Sequence, residues 1–383
     1  MSEEEQPSPT DLAKLVSDSV EDLLHDAGVV PNLEPMTPRE AVNEYFKVRD
    51  LKPKTKNKHE SSLGFFVDWG ENVAGISEMN FLSGSDLKDY RVWRREESSE
   101  QVDELSPKTE ETEQKIVRKF IKVCGTFDAV RPGLHEHVLI PDLDDEDEVR
   151  NTVLDSETVK QILEHLRKYE YATREHVIWE LFASAGPRLG GIRSLDVDDY
   201  ERGDSGPYLK LRHRPDTETT LKNGKDGERN VFISESLAEV LDDYIKDQRE
   251  DSEDKFGREP LLSSKQGRLA ESTIRNYVYA WTRPCVLGRG CPYGKDPDEC
   301  KAAQRNNWAS QCPGSLSPHP IRKGYITQEL NSGVLMEHLS DRCDVSEKIL
   351  EKHYDKRTEA EKMATRKEAM QALTRLEPGY GEK

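Results

Sequence analysis

At 383 residues the chain is too long for one ordinary core and suits two domains plus tails. Hydrophobic and charged residues each make up 34% of it, so the cores are small and the surfaces heavily charged, though the chain should still fold. A formal charge of −19 argues on its face against a nucleic-acid partner, because an acidic surface repels phosphate.

The distribution of that charge matters more than its sum. Residues 1–35 hold nine acids against Lys14 alone, and residues 141–150 hold six against Arg150, so two short segments carry most of the excess. A basic, phosphate-facing surface elsewhere is compatible with the composition. Abundant Asp and Glu also suit concentrated salt, where self-repulsion is screened within roughly 3 Å at about 1 M; an acidic chain from a low-salt cell is the plain alternative. In high salt, phosphate binding leans on hydrogen bonds and shape more than on bulk charge.

Residues 1–35 form an acidic extension. Its start, Met1 to Glu5, has neither the basic beginning nor the apolar core of a signal peptide, and no run reaches a membrane span, which predicts a cytoplasmic protein. Thr10 is placed to cap a helix carrying Leu12, Leu15, Val16, Val20, Leu23 and Leu24 near one face. Six cysteines in such a compartment suit packing or metal binding better than disulfides.

Residues 36–140 read as a four-helix domain. Thr37 and Pro38 open a helix with Val42, Tyr45 and Phe46; Thr55 opens one with Leu63, Phe66 and Trp69; Ser85 or Asp86 starts a third with Leu87, Tyr90 and Trp93; Ser106 and Pro107 precede a fourth with Ile116, Val117, Phe120 and Ile121. Lys52, Lys54, Lys56 and Lys58 gather at the start of the second helix, where the helix dipole also favours an anion. Arg91, Arg94 and Arg95 form a second basic group. Charge runs of this kind are commonly solvated faces. Residues 141–150, polar and acidic, form the linker.

Residues 151–365 form the second domain, and 366–383 a tail. Helices are predicted from Asp155 or Ser156, over Val177 to Phe182, from Ser236 to Lys246, from Glu271 to Trp281 and from Gly324 onward. Between them, Tyr208 to Arg212, Thr219 to Leu221 and Asn230 to Ile233 read as a three-stranded antiparallel element with turns at Pro215 and at Asn223 and Gly224. The fold class is mainly α with a small antiparallel β-sheet.

Four groups of chemistry-bearing residues follow one another along this domain. Gly186, Pro187, Arg188 and Leu189 come first; then Leu221, Lys222, Asn223, Gly224 and Lys225, with Arg229 behind; then His319, Pro320, Ile321 and Arg322; and last His353, Tyr354 and Asp355. A guanidinium presents a planar fork to two phosphate oxygens, an imidazole manages a proton, and a phenol can attack phosphorus. In this order the set resembles the tyrosine recombinase (phage integrase) family, of the XerC/XerD type and as found in salt-adapted archaea. The resemblance covers roughly residues 36–360.

The resemblance implies a SAM-like, DNA-clamping core-binding domain over 36–140, with Lys52, Lys54, Lys56, Lys58, Arg91, Arg94 and Arg95 as phosphate contacts, and a catalytic domain behind it that closes a C-shaped clamp. It implies Arg188 and Arg322 as the phosphate clamp and His319 as a phosphate ligand or proton acceptor. Lys222, with Lys225 as its rival, would be the acid for the leaving 5′-hydroxyl, and Tyr354 the nucleophile. The chain departs from the family in two places. Gly191 stands where a Glu usually follows the first arginine, and Leu339, Ser340, Asp341 and Arg342 replace a Leu-Gly-His motif, with Asp341 or Arg342 in the histidine's place. A carboxylate would repel phosphate, which makes Arg342 the substitute.

Residues 284–314 form an insertion with Cys285, Cys291, Cys300 and Cys312, whose spacings lack the Cys-x-x-Cys form of a strong zinc signal. A segment so poor in apolar residues still needs something to fold around, and a structural zinc is one candidate beside unmetallated thiols. Cys124 and Cys343 read as packing residues.

The function implied is site-specific cutting and rejoining of double-stranded DNA through a 3′-phosphotyrosine, with no cofactor and no ATP, by a homotetramer on synapsed DNA. The rivals are a DNA-binding regulator derived from such an enzyme and a type IB topoisomerase-like activity.

Overall fold

The computed structural model describes residues 33–98, 104–143 and 152–355, with scattered positions between 359 and 371. The helix expected from Thr10, most of the acidic linker and most of the tail lie outside these residues. The chain divides into two compact units between Arg150 and Asn151.

The first unit holds four α-helices, α1 (Pro38–Lys47), α2 (Pro53–Asp68), α3 (Gly84–Glu96) and α4 (Pro107–Cys124). Their starts are written in local chemistry. Thr37 and Glu40 form a reciprocal capping box on α1, Ser83 and Asp86 form one on α3, and Ser106 caps α4. Helix α2 begins at Pro53, two residues before the Thr55 expected to open it, because proline needs no N–H partner in the first turn. The apolar faces meet around Tyr45, Phe66, Tyr90 and Phe120, whose rings pack edge to face.

The second unit opens with α5 (Ser156–Tyr169), α6 (Arg174–Ala185) and the short α7 (Leu189–Ser194). A sheet β1 (Tyr200–Gly203), β2 (Gly206–Leu211), β3 (Arg229–Phe232) follows, antiparallel in that order, with Leu209 facing Tyr200 on one side and Val231 on the other. This corrects the expected strands. Thr219 to Leu221 contributes only an isolated bridge from Thr219 to Arg214, since Pro215–Thr217 makes a 3-10 turn and Glu218 sits in the left-handed region at φ 55°. The true first strand turns back tightly at Gly206, whose φ of 110° suits glycine.

Helix α8 (Glu235–Asp243), a small ribbon β4 (Ser263–Ser264) and β5 (Gly267–Arg268), α9 (Glu271–Thr282) and α10 (Lys301–Gln304) lead to α11 (Pro318–Asn331), α12 (Met336–Cys343) and α13 (Glu347–His353). Helix α11 starts six residues before the expected Gly324, so His319 and Arg322 lie in its first turns. The main core gathers around Trp179, Phe182, Leu241, Tyr244 and Ile274. A smaller apolar cluster of Tyr325, Ile326, Leu330, Leu339, Cys343, Leu350 and Tyr354 ties α11, α12 and α13 together.

Candidate active site

Three guanidinium groups converge on the C-terminal end of α12, where the helix leaves carbonyls without intrahelical partners. Arg229 Nε donates to the Arg342 carbonyl at 2.8 Å, Arg322 Nη2 donates to the Cys343 carbonyl, and Arg188 Nη1 pairs with the Asp344 carboxylate. Three consecutive residues thus each receive one arginine. The negative end of the helix dipole helps hold these cations together.

Each arginine comes from a different element. Arg188 is the N-cap of α7 in extended conformation, two residues after α6 ends at Gly186. Gly186 has φ 59°, and a Cβ there would come within 2.2 Å of the Tyr325 ring, so glycine is required twice over. Its carbonyl accepts from Arg322 Nη1 at 2.6 Å, which binds the first arginine segment to α11. Arg229 starts β3. Burial, opposed by Asp344 but reinforced by the Arg322 charge, lowers it to about 10. Arg322 is 3% exposed and is likewise lowered, first by burial.

The remaining groups face the same place. Partial burial of the His319 ring, and then the charges of Arg322, Lys323, Lys222 and Arg188, hold it below the usual imidazole range. Lys222 is exposed on the loop before β3, and its charge reaches His319. Tyr354 follows α13 and is 6% exposed. Burial raises its phenol above the ordinary value, while Arg322, within hydrogen-bonding reach, and Arg188 pull the other way. Burial outweighs the two guanidinium groups, which lessen the cost of ionising the phenol without reversing it.

The structure therefore brings together Arg188, Lys222, His319, Arg322 and Tyr354, and it adds Arg229 and Asp344. Neither addition carries a motif signal; only the nearness of Arg229 to the Lys222 turn hinted at it. Arg342 does not take a histidine's place in the site. Its side chain donates to Tyr325 Oη at 2.6 Å, to the Phe232 carbonyl at 2.8 Å and to the Ser184 carbonyl at 3.2 Å, so its guanidinium is spent bracing α12 against α6, α11 and β3.

In the first unit, Lys52, Lys54, Lys56 and Lys58 are exposed at the start of α2. Arg91, Arg94 and Arg95 require correction as an open phosphate-binding group. Arg91 pairs with Glu110, Arg94 is 5% exposed and pairs with Glu113 at 2.8 Å while stacking on Phe65, and Arg95 pairs with Glu96. The first two pairs fasten α3 to α4. An open groove of about 610 Å³ lies instead along α4, lined by Lys115, Arg118, Lys119 and Lys122 with His135, Glu136 and Ile140; Lys115 pairs with Glu111 and Arg118 donates to the Val138 carbonyl, which leaves Lys119 and Lys122 as its more open cations. The charges of Arg49, Lys58 and Lys119 all reach His59, so Lys58 of α2 and Lys119 of α4 lie in one neighbourhood. Sequence reading followed the apolar stripe of α4 and passed over this one.

Cys285, Cys291, Cys300 and Cys312 are free thiols lining one cavity of about 30 Å³. Among the described residues, no three His, Cys, Asp or Glu side chains are grouped so as to hold a metal ion, so the candidate zinc site is not supported. The segment is held by other means. Arg283 donates to the carbonyls of Ala280, Ala302 and Ala303, Thr282 exchanges hydrogen bonds with Leu316, and Ala302 and Ala309 are buried. Cys124 and Cys343 are fully buried. No helix among the described residues is long and apolar enough to cross a membrane.

No family model matches this sequence, and no curated protein matches it. Solved structures do. The Tn1549 transposon integrase in complex with a circular intermediate DNA shares 14% identity over 88% of this chain and 100% of that one, with a TM-score of 0.60. A lambda integrase (75–356) dimer bound to a COC' core site shares 12% over 85% of this chain and 97% of that one, at 0.55. The longer lambda integrase dimer on the same site shares 12% over 94% and 81%, at 0.52. At such identities the likeness is one of architecture, and the architecture of this chain is the tyrosine-recombinase fold.

Proposed function

We propose that this protein is a site-specific recombinase or integrase that cuts and rejoins double-stranded DNA through a 3′-phosphotyrosine. The observation that carries the reading is the convergence of Arg188, Arg322, His319 and Lys222 on a buried tyrosine, Tyr354, from separate parts of one chain.

In the proposed step the Tyr354 oxygen attacks phosphorus, a tyrosyl O–P bond forms and the P–O5′ bond breaks. Arg188, Arg229 and Arg322 hold the non-bridging oxygens, whose negative charge grows as the step proceeds. The phenol proton passes to His319, which is neutral at pH 7 because its imidazole is held low. Lys222 gives a proton to the departing 5′-oxygen. The phosphotyrosine ester keeps the bond energy, so a second 5′-hydroxyl reverses the step without ATP.

Both units engage the duplex in this proposal. The first unit contributes the cationic face of Lys52, Lys54, Lys56, Lys58, Lys119 and Lys122 to backbone phosphates, and four copies act on two synapsed duplexes. The test is a suicide DNA substrate whose cleaved strand loses its 5′-hydroxyl end. Wild-type protein is expected to form a covalent adduct and Tyr354→Phe none; the absence of a wild-type adduct would leave a DNA-binding regulator.

A further inference from the structure

Beside three arginines, a lysine and a histidine, the site holds the carboxylate of Asp344, and its placement is specific. Asp344 follows α12 in the left-handed region, φ 51° and ψ 58°, which turns its side chain back toward the β-hairpin loop. One carboxylate oxygen takes Arg188 Nη1, and the other accepts Asn223 Nδ2 at 2.7 Å. Gly227 gives it room, since a Cβ there would lie 3.2 Å from Asp344 Oδ2. The Asp344 side chain is 13% exposed. Asn223 is the residue next to Lys222. A single carboxylate therefore links the first arginine to the loop that carries the lysine.

A carboxylate this close to a phosphate site weakens anion binding, so its presence calls for a compensating role. Arg188 has five N–H donors and gives one to Asp344 among the bonds described, which leaves the rest of its fork to face an incoming phosphate. The carboxylate that the first arginine motif lacks at Gly191 is also supplied here, 156 positions later. Arg229 and Arg322 both feel the Asp344 charge, so the same group moderates repulsion among the three guanidinium groups.

We infer that Asp344 is a positioning residue for strand cleavage: it clamps Arg188 to Asn223 and so holds Lys222 where it protonates the leaving 5′-oxygen. The inference rests on the proposed chemistry, and its test separates the two. Asp344→Asn keeps the shape and suits the left-handed backbone, but it removes the charge and sets one amide N–H₂ against another.

Single-turnover cleavage is measured on two substrates, one with the ordinary 5′-oxygen and one with a 5′-bridging sulfur, whose thiolate leaves without an acid. Asp344→Asn is expected to slow the ordinary substrate at least 10-fold, to recover to within about threefold of wild type on the sulfur substrate, and to bind DNA as tightly as wild type or more so. Lys222→Ala should show the same rescue. An Asp344→Asn rate equal to or above wild type on the ordinary substrate would overturn the inference, and so would a defect that persists undiminished on the sulfur substrate. If wild-type protein cleaves neither substrate, the proposed function fails instead.

Discussion

Replacing Arg322 by lysine keeps the charge and removes the fork. Arg322 is 3% exposed and satisfies two carbonyls at once, Gly186 at the end of α6 and Cys343 at the end of α12. A lysine ammonium is a point donor and cannot span both. Leaving one or both buried carbonyls unpaired costs about 1–3 kcal/mol each, so about 3 kcal/mol is a fair central value for the variant. In a unit of this size that lowers the melting temperature by roughly 6–12 °C. The catalytic loss is separate, because removing one donor from developing phosphate charge costs about 10²–10³ in rate. Tyr354 also loses the guanidinium that most strongly opposes the effect of burial on its phenol. Thermal melting gives the first effect, and single-turnover adduct formation well below the variant's melting point gives the second. Melting within 2 °C of wild type, to order of magnitude, with an undiminished cleavage rate, would refute the claim that this arginine joins two segments and clamps the phosphate.

Three further outcomes are expected. His319 is held low in the folded protein, so its stabilising contribution is present above the ordinary value of 6.5 and is lost as pH falls through the lower folded value; a pH–rate profile of adduct formation should stay flat through 6.5 and fall only below it, and His319→Gln should abolish that acid limb. Asp196 is paired with both Arg258 and Arg268, and Arg268 keeps Asp254 as a second carboxylate partner, so Asp196→Ala leaves Arg258 as the uncompensated cation and should cost about 3 kcal/mol in a denaturant melt. Lys119→Gln and Lys122→Gln should each reduce the slope of log affinity against log salt by about 1, whereas Arg94→Gln should destabilise the first unit and leave that slope unchanged.

Local chemistry was legible wherever a single side chain decides it. Thr37, Ser106 and Asp155 cap helices where their sequence context predicts, and the three-stranded antiparallel sheet was foreseen in kind. Its first strand was missed because Tyr200 to Gly203 lacks β-rich alternation and is defined by pairing with β2. Arg188, His319, Arg322 and Tyr354 were picked out from their order along the chain, and the fold brings them together. Asp344 was not, because its meaning depends on an arginine 156 positions away. Arg94 looked like a free surface cation for the same reason: nothing local to it reveals that Glu113, a full helix later, neutralises it. Long-range partners decide whether a charge is offered to a ligand or spent on the fold.

The central claim is that Tyr354 is the group that attacks phosphorus. Its most direct test is a suicide DNA substrate labelled on the strand that would remain attached, incubated at low and high salt with wild-type protein and with Tyr354→Phe, then resolved under denaturing conditions and mapped by mass spectrometry. Wild-type protein should give an adduct carried on the peptide containing Tyr354, and the phenylalanine variant none. An adduct mapped to another residue, or one undiminished in Tyr354→Phe, would contradict it.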